Sequence, residues 1–248
     1  MNIQANDIHV WYIQNKDMAG KVPLERYQTL LSDDEKQRKQ NLYFVHHQYQ
    51  YLLSRALIRS VLSAYDSHVA PGDWRFVKND YGKPAIDASI SSLPLCFNLS
   101  HTKDMIVLAV TLEQSVGIDV ESIRMENVSL DIARSFFSNV ETEFLFALPE
   151  PDQRQHFFCL WTLKEAYIKA RGMGLSIPLD QFSFLFSDKG GIDICFGSEI
   201  CDTPKDWAFW QFSLVSEYLV SLALKKETDK NQYLVSIYYA LDLLSESC

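Results

Sequence analysis

Apolar residues recur every three or four positions through residues 157–174, FFCLWTLKEAYIKARGMG, and this spacing predicts a helix buried around most of its circumference. At 100° per residue, Glu165 falls inside an arc made by Phe158, Trp161 and Ile168, where an apolar side chain is expected. A buried carboxylate is costly unless a cation or hydrogen-bond donors compensate it. Lys169 lies one turn on, and such a pair stabilises a helix by roughly 0.2–0.5 kcal/mol, little beside the cost of burying a charge. Two readings stay open for Glu165: a structural ion pair at the edge of a core helix, or an acid placed for chemistry. Arg171, Gly172 and Gly174 end the helix, with glycine supplying the left-handed residue that closes the last turn.

Ahead of this helix the pattern predicts a strand over residues 8–13, and Ser32 with Glu35 forms a capping-box signal for a helix running toward Phe44. Residues 46–65 carry Leu52, Leu53, Ala56, Leu57, Val61 and Leu62 at helical spacing, with Arg55 and Arg59 one turn apart. Residues 74–86 read as strand, turn and strand, the turn marked by Asn79, Asp80, Gly82 and Pro84. Residues 97–99 and 105–112 follow as strands.

The order then begins again about 110 residues on. Ile8 and Val10 match Ile118 and Val120, and residues 55–59 match residues 165–169. Phe76, Asp80, Gly82 and Ile86 match Phe184, Asp188, Gly190 and Ile194, and residues 105–110 resemble 218–223. The fold expected is α+β: two similar halves, 1–112 and 113–248, joined near 113–117 with a cleft between them. Residues 226–248 form an extension, expected to add a strand to the second half or to pack across it.

Composition fits a folded chain, with 47% hydrophobic and 13% aromatic residues and no low-complexity tract. A formal charge of −9 argues against a general nucleic-acid binder, because duplex binding needs a basic face, so any phosphate must be held by local groups. The 5 cysteines show no CxxC or Cys/His ligand spacing, which argues against structural zinc and a disulfide framework. No apolar run approaches a membrane span, and no signal-like start precedes the first strand, so a cytoplasmic protein is expected.

In VGIDVES, alternation puts Ile118 and Val120 on one face of a strand and Asp119 and Glu121 on the other. The pair is either a wet acidic face or, with Glu165, a set of oxygen ligands for a magnesium ion. Neighbouring like charges raise each other's pKa unless a cation lies between them. FNLSHT places Ser100 and His101 just past a short strand, as a turn serine and surface histidine or as phosphate ligands. Lys83, between Gly82 and Pro84, is a solvated turn tip or a phosphate contact. Lys36, Arg38 and Lys39 sit on a solvent-rich helix.

FNLSH at 97–101, VGIDVE at 116–121 and WTLKEA at 161–166 resemble the three ordered signatures of the 4′-phosphopantetheinyl transferases, of the two-half, surfactin-synthetase-activating type. YGKP at 81–84, SFFS at 135–138 and GMGLS at 172–176 are similar to further family segments, so the resemblance covers residues 8–225. It implies a pseudo-twofold pair of α+β halves with coenzyme A as co-substrate in the cleft, acting as a single chain. It also implies transfer of the phosphopantetheine arm to a serine of an apo acyl or peptidyl carrier protein, with release of 3′,5′-ADP.

The resemblance further implies that Asp119, Glu121 and Glu165 ligate Mg²⁺, that Glu165, directly or through a metal-bound water, takes the serine proton, and that Lys169 meets the diphosphate. Lys83, Ser100 and His101 would hold the nucleotide end and its 3′-phosphate, and the carrier would dock near residues 135–138. EKQRKQN aligns loosely with the family's basic stretch, and the tail beyond Lys226 carries no family motif. The competing activities are a magnesium-dependent hydrolase of nucleotide diphosphates and a carrier-binding homologue without catalysis.

Overall fold

The computed structural model describes residues 1–18, 24–124, 128–187, 190–227 and 232–246. Its contacts divide the chain into two compact units, one formed by Met1–Lys78, Pro84–Glu113 and Gln232–Cys248, the other by Asn79–Lys83 and Gln114–Asn231.

The first unit opens with β1 (Asp7–Gln14), the short helices α1 (Asn15–Met18) and α2 (Leu24–Gln28), then α3 (Asp33–Gln40) and α4 (Val45–Tyr65). The hairpin β2 (Phe76–Lys78) and β3 (Pro84–Ile86) and the strands β4 (Leu95–Thr102) and β5 (Met105–Leu112) follow. The predicted capping box is present on α3: Ser32 Oγ accepts from the Glu35 amide, and Glu35 Oε2 accepts from the Ser32 amide. The same carboxylate receives the buried Arg59 guanidinium at 2.7 Å, so one acid caps α3 and ties it to α4. Leu52, Leu53, Ala56, Leu57, Val61 and Leu62 of α4 pack into a core with Ile13, Phe97, Ile106 and Leu108. The apolar stripe of α4 therefore has the sheet as its partner.

In the second unit β6 (Val116–Ser122) leads to α5 (Ile132–Phe136), α6 (Asn139–Ala147) and the long α7 (Glu150–Arg171). The hairpin β7 (Phe182–Phe186) and β8 (Ile192–Phe196) and the strands β9 (Trp207–Leu214) and β10 (Tyr218–Lys225) complete it. The sheet order is β6-β10-β9, antiparallel throughout. Phe158, Leu163, Ala166, Tyr167 and Ala170 of α7 meet Trp207, Phe209 and Ala223 in the core. The helix starts seven residues before the predicted stretch, behind Pro149, and ends at Gly172, whose φ of 67° is the left-handed residue expected there.

Each unit runs strand, helix, hairpin and two strands, with its first strand beside its last. The positions matched in sequence fall on corresponding elements: Phe76 faces Ile86 across one hairpin and Phe184 faces Ile194 across the other. Gly82 and Gly190 both have positive φ, at 88° and 80°. Asp188, the sequence partner of Asp80, lies outside the described residues.

Two expectations about the division of the chain are corrected. The tail does not join the second unit: β11 (Leu234–Tyr239) pairs in parallel with β1, giving a sheet ordered β11-β1-β5-β4, and α8 (Leu241–Glu246) packs on α4. Exposed β1 edge groups gain a hydrogen-bonded neighbour this way, and Ala240 and Leu244 enter the first core. The turn Asn79–Lys83, placed by sequence in the first half, belongs by contact to the second unit.

Candidate active site

The site is built where β6 and α7 meet. Gly117, Asp119 and Glu121 share one face of β6 because strand side chains alternate, and that face is turned to α7. A β-carbon on Gly117 would run into the carbonyl oxygen of Ala166 and the amide nitrogen of Ala170, and would stand 3.0 Å from Ala170 Cα. Glycine is required for this approach. Asp119 is only 4% exposed, so the open reading of a wet acidic face does not hold for it. Its Oδ1 receives the Lys169 ammonium at 2.6 Å.

Along α7, Trp161, Glu165 and Lys169 form a half-buried line, while residues 162–164 and 166–168 are buried. Glu165 thus sits at the margin of the core. Burial pushes its pKa up, the negative charge of Asp119 pushes the same way, and Lys169 pulls back. Burial is the largest of these influences, and the intrahelical lysine is too weak to cancel it.

The helix is pinned to the sheet by a buried polar knot. Thr162 Oγ1 lies 2.7 Å from Ser221 Oγ, and the Gln211 amide donates to Ser221 Oγ and to the Cys159 carbonyl, each at 2.9 Å. Ser221 is the cross-strand partner of Asp119, so the knot fixes α7 against the strand pair that carries the acid.

Lys83, in the turn Asn79–Lys83 of this unit, donates from Nζ to the carbonyls of Ala170 at 2.9 Å and Val116 at 3.3 Å. Ser100 and His101 belong to the first unit, together with Lys36, Arg38 and Lys39 on α3. Ser100 and His101 lie inside β4, opposite Val107 and Ile106, which corrects the expectation that a turn frees both side chains. As successive strand residues they leave on opposite faces, Ser100 buried and His101 exposed.

Sequence reasoning missed Lys164. Its ammonium is buried, bonded to Glu141 Oε2 at 2.7 Å and to the carbonyls of Leu179 and Phe182 at 2.8 and 2.6 Å. Glu141 also completes a capping box with Ser138 on α6 and accepts from the Phe184 amide. The S-x-x-E spacing from Ser138 to Glu141 was the available signal.

A cavity of about 680 Å³ lies on another side of α7, lined by Phe144, His156, Cys159, Leu160 and Phe186. None of the candidate acids of β6 and α7 lines it, so the chemistry is assigned by side-chain type rather than by cavity size.

Among the described residues no three His, Cys, Asp or Glu side chains form a ready metal cage. That arrangement still suits Mg²⁺, which takes one or two protein carboxylates and fills its other positions with water and substrate phosphate. The donors on β6 and α7 are hard oxygens, and Asp119 already accepts a cation in the Lys169 ammonium. Among the described residues no helix is long and apolar enough to cross a membrane.

The family model of the 4′-phosphopantetheinyl transferase superfamily matches residues 115–223, which include both β6 and α7. The 4′-phosphopantetheinyl transferase HetI of Nostoc sp. is 32% identical over 176 residues, covering 71% of this chain and 73% of that protein. The 4′-phosphopantetheinyl transferase Sfp of Bacillus subtilis is 35% identical over 171 residues, covering 68% and 73%. A solved holo-(acyl-carrier-protein) synthase of Bacillus anthracis in complex with CoA (3′,5′-ADP) is a more distant likeness, with a TM-score of 0.37 and 19% identity over 44% of this chain and 93% of that one. By its sequence identity to HetI and Sfp over 73% of each of those proteins, this chain belongs to the 4′-phosphopantetheinyl transferase superfamily.

Proposed function

We propose that the chain transfers the 4′-phosphopantetheine arm of coenzyme A to a serine hydroxyl of an apo acyl or peptidyl carrier protein, with Mg²⁺, releasing 3′,5′-ADP. The observation that carries this reading is the junction at Gly117, where Asp119 of β6 meets Lys169 of α7 at 2.6 Å and its charge is felt by Glu165. The relatives HetI and Sfp, both named as phosphopantetheinyl transferases, support the same chemistry. The shared element order of the two units supports reading them as the two similar α+β halves that the sequence resemblance implies.

In this reading a magnesium ion would draw its one or two protein ligands from Asp119, Glu121 and Glu165, and would offset the charge growing on the 5′-phosphate of the departing 3′,5′-ADP. The serine oxygen attacks the β-phosphorus, the bond from that phosphorus to the oxygen of the departing 3′,5′-ADP breaks, and Glu165 accepts the serine proton. Burial raises the pKa of this carboxylate, the direction that favours a base at working pH, and a bound metal ion would pull it back. Lys169, held against Asp119, adds positive charge for the diphosphate. Ser100 and His101 are assigned to the nucleotide end and its 3′-phosphate. The exposed apolar Ile132 and Phe136 of α5 support carrier docking beside residues 135–138.

Product analysis tests the reaction against hydrolysis. Coenzyme A and Mg²⁺ should yield 3′,5′-ADP only when an apo carrier is present, with the carrier gaining one phosphopantetheine group. Cleavage without the carrier would make the chain a hydrolase.

A further inference from the structure

The turn Asn79–Lys83 is built to sit on the end of α7. Asn79 Oδ1 accepts from the amides of Tyr81 and Lys83 at 3.1 and 2.8 Å, which closes the turn, and Gly82 at φ 88° lets the chain reverse. The Asn79 side-chain amide then donates to the Gly172 carbonyl at 2.7 Å. Lys83 lays its stem over Gly172, whose hypothetical β-carbon would come within 2.7 Å of Lys83 Cδ. Its ammonium reaches the carbonyls of Ala170 and Val116.

The last carbonyls of a helix lack intrahelical partners and carry the negative end of the helix dipole, so a lysine there is favourable on both counts. What sets this one apart is its second acceptor. Val116 begins β6, three residues before Asp119, and Ala170 follows Lys169 directly. One ammonium therefore ties the strand bearing one member of the ion pair to the helix bearing the other.

We infer that Lys83 and Asn79 are positioning residues: together they clasp the C-terminal turn of α7 to the start of β6 and so hold Lys169 and Glu165 in register with Asp119. This rests on the proposed transfer reaction only for its kinetic readout. It departs from the sequence expectation that Lys83 holds the nucleotide end of coenzyme A.

Hydrogen exchange and steady-state kinetics on Lys83→Met, Lys83→Arg and Asn79→Ala test it in the full chain. Lys83→Met and Asn79→Ala should both speed exchange at the Gly172 amide and the last turn of α7, and both should lower kcat several-fold while KM for coenzyme A stays within about twofold. Lys83→Arg should recover most of kcat, because a guanidinium can still donate to the two carbonyls. The effects of Lys83→Met and Asn79→Ala should combine to less than their sum, as for two parts of one contact.

A raised KM for coenzyme A with kcat intact in Lys83→Met, or exchange at the end of α7 unchanged in both variants, overturns the clasp. A wild-type chain that transfers nothing would instead overturn the proposed function, and the exchange measurement would still decide the clasp by itself.

Discussion

The Lys169 ammonium and the Asp119 carboxylate meet at 2.6 Å, one from the last turn of α7 and the other from the middle of β6. Asp119 has little contact with water, so the lysine compensates a charge that would otherwise be costly to bury. Replacing Lys169 with Met should therefore destabilise the chain, by up to about 3 kcal/mol, less than for a fully enclosed pair because the lysine is partly exposed. If the acids also accept Mg²⁺, millimolar MgCl₂ should raise the melting temperature of Lys169→Met more than that of wild type, by linkage. Thermal unfolding with and without the metal reads this directly, and an equal response in both proteins counts against a divalent site at Asp119.

Gly117 should tolerate no side chain. The atoms in the way are backbone atoms of α7, which cannot swing aside. Gly117→Ala is expected to cost about 1–3 kcal/mol in urea unfolding and to abolish most carrier modification. Gly82→Ala, where nothing stands within 4 Å, should be limited to the backbone cost of its positive φ.

The Lys164–Glu141 pair should behave as one unit. Breaking it from either side strands a buried charge, at roughly 3–5 kcal/mol, whereas Lys164→Met combined with Glu141→Leu should cost less than the two single changes summed. A double-mutant cycle by chemical denaturation checks this, and strict additivity would contradict it.

Acid should weaken the fold before the carboxylates titrate. Burial lowers the pKa of His9, with Asp7 opposing, and burial likewise lowers that of His156, with Glu141 opposing. In His9 the ring nitrogen Nδ1 lies 2.7 Å from the Tyr65 hydroxyl, which also accepts from Trp11, and a neutral ring leaves Nδ1 able to accept the hydroxyl proton. Below the ordinary value of 6.5 the unfolded chain takes protons that the folded one refuses. Stability is therefore complete above that value and falls as pH drops through it. Urea midpoints between about pH 7.5 and 5.5 should decline, and His9→Gln should flatten the decline.

Local chemistry was readable in the sequence. The Ser32–Glu35 box, the Gly172 stop and the shared face of Asp119 and Glu121 all follow from spacing within a few residues, and each appears as expected. The family too was legible, from three short motifs in order. What the sequence hid depends on distant partners. Parallel pairing of β11 with β1 joins residues more than two hundred positions apart, and nothing in QYLVSIYY names its neighbour. Lys164 reads as one more helix lysine until Glu141 arrives from α6. Lys83 reads in sequence as a solvated turn tip or a phosphate contact because its acceptors are carbonyls, which every residue carries. Ser100 and His101 were misplaced because β4 continues through a polar stretch, held by its ladder to β5 rather than by apolar alternation.

Intact-mass spectrometry of an apo carrier incubated with coenzyme A, Mg²⁺ and either wild type, Asp119→Ala or Glu165→Gln tests the central claim most directly. Wild type should convert the carrier to its phosphopantetheinylated form, and both folded variants should leave it unmodified. Conversion by either variant at the wild-type rate would contradict the assignment of the acids of β6 and α7 to the reaction.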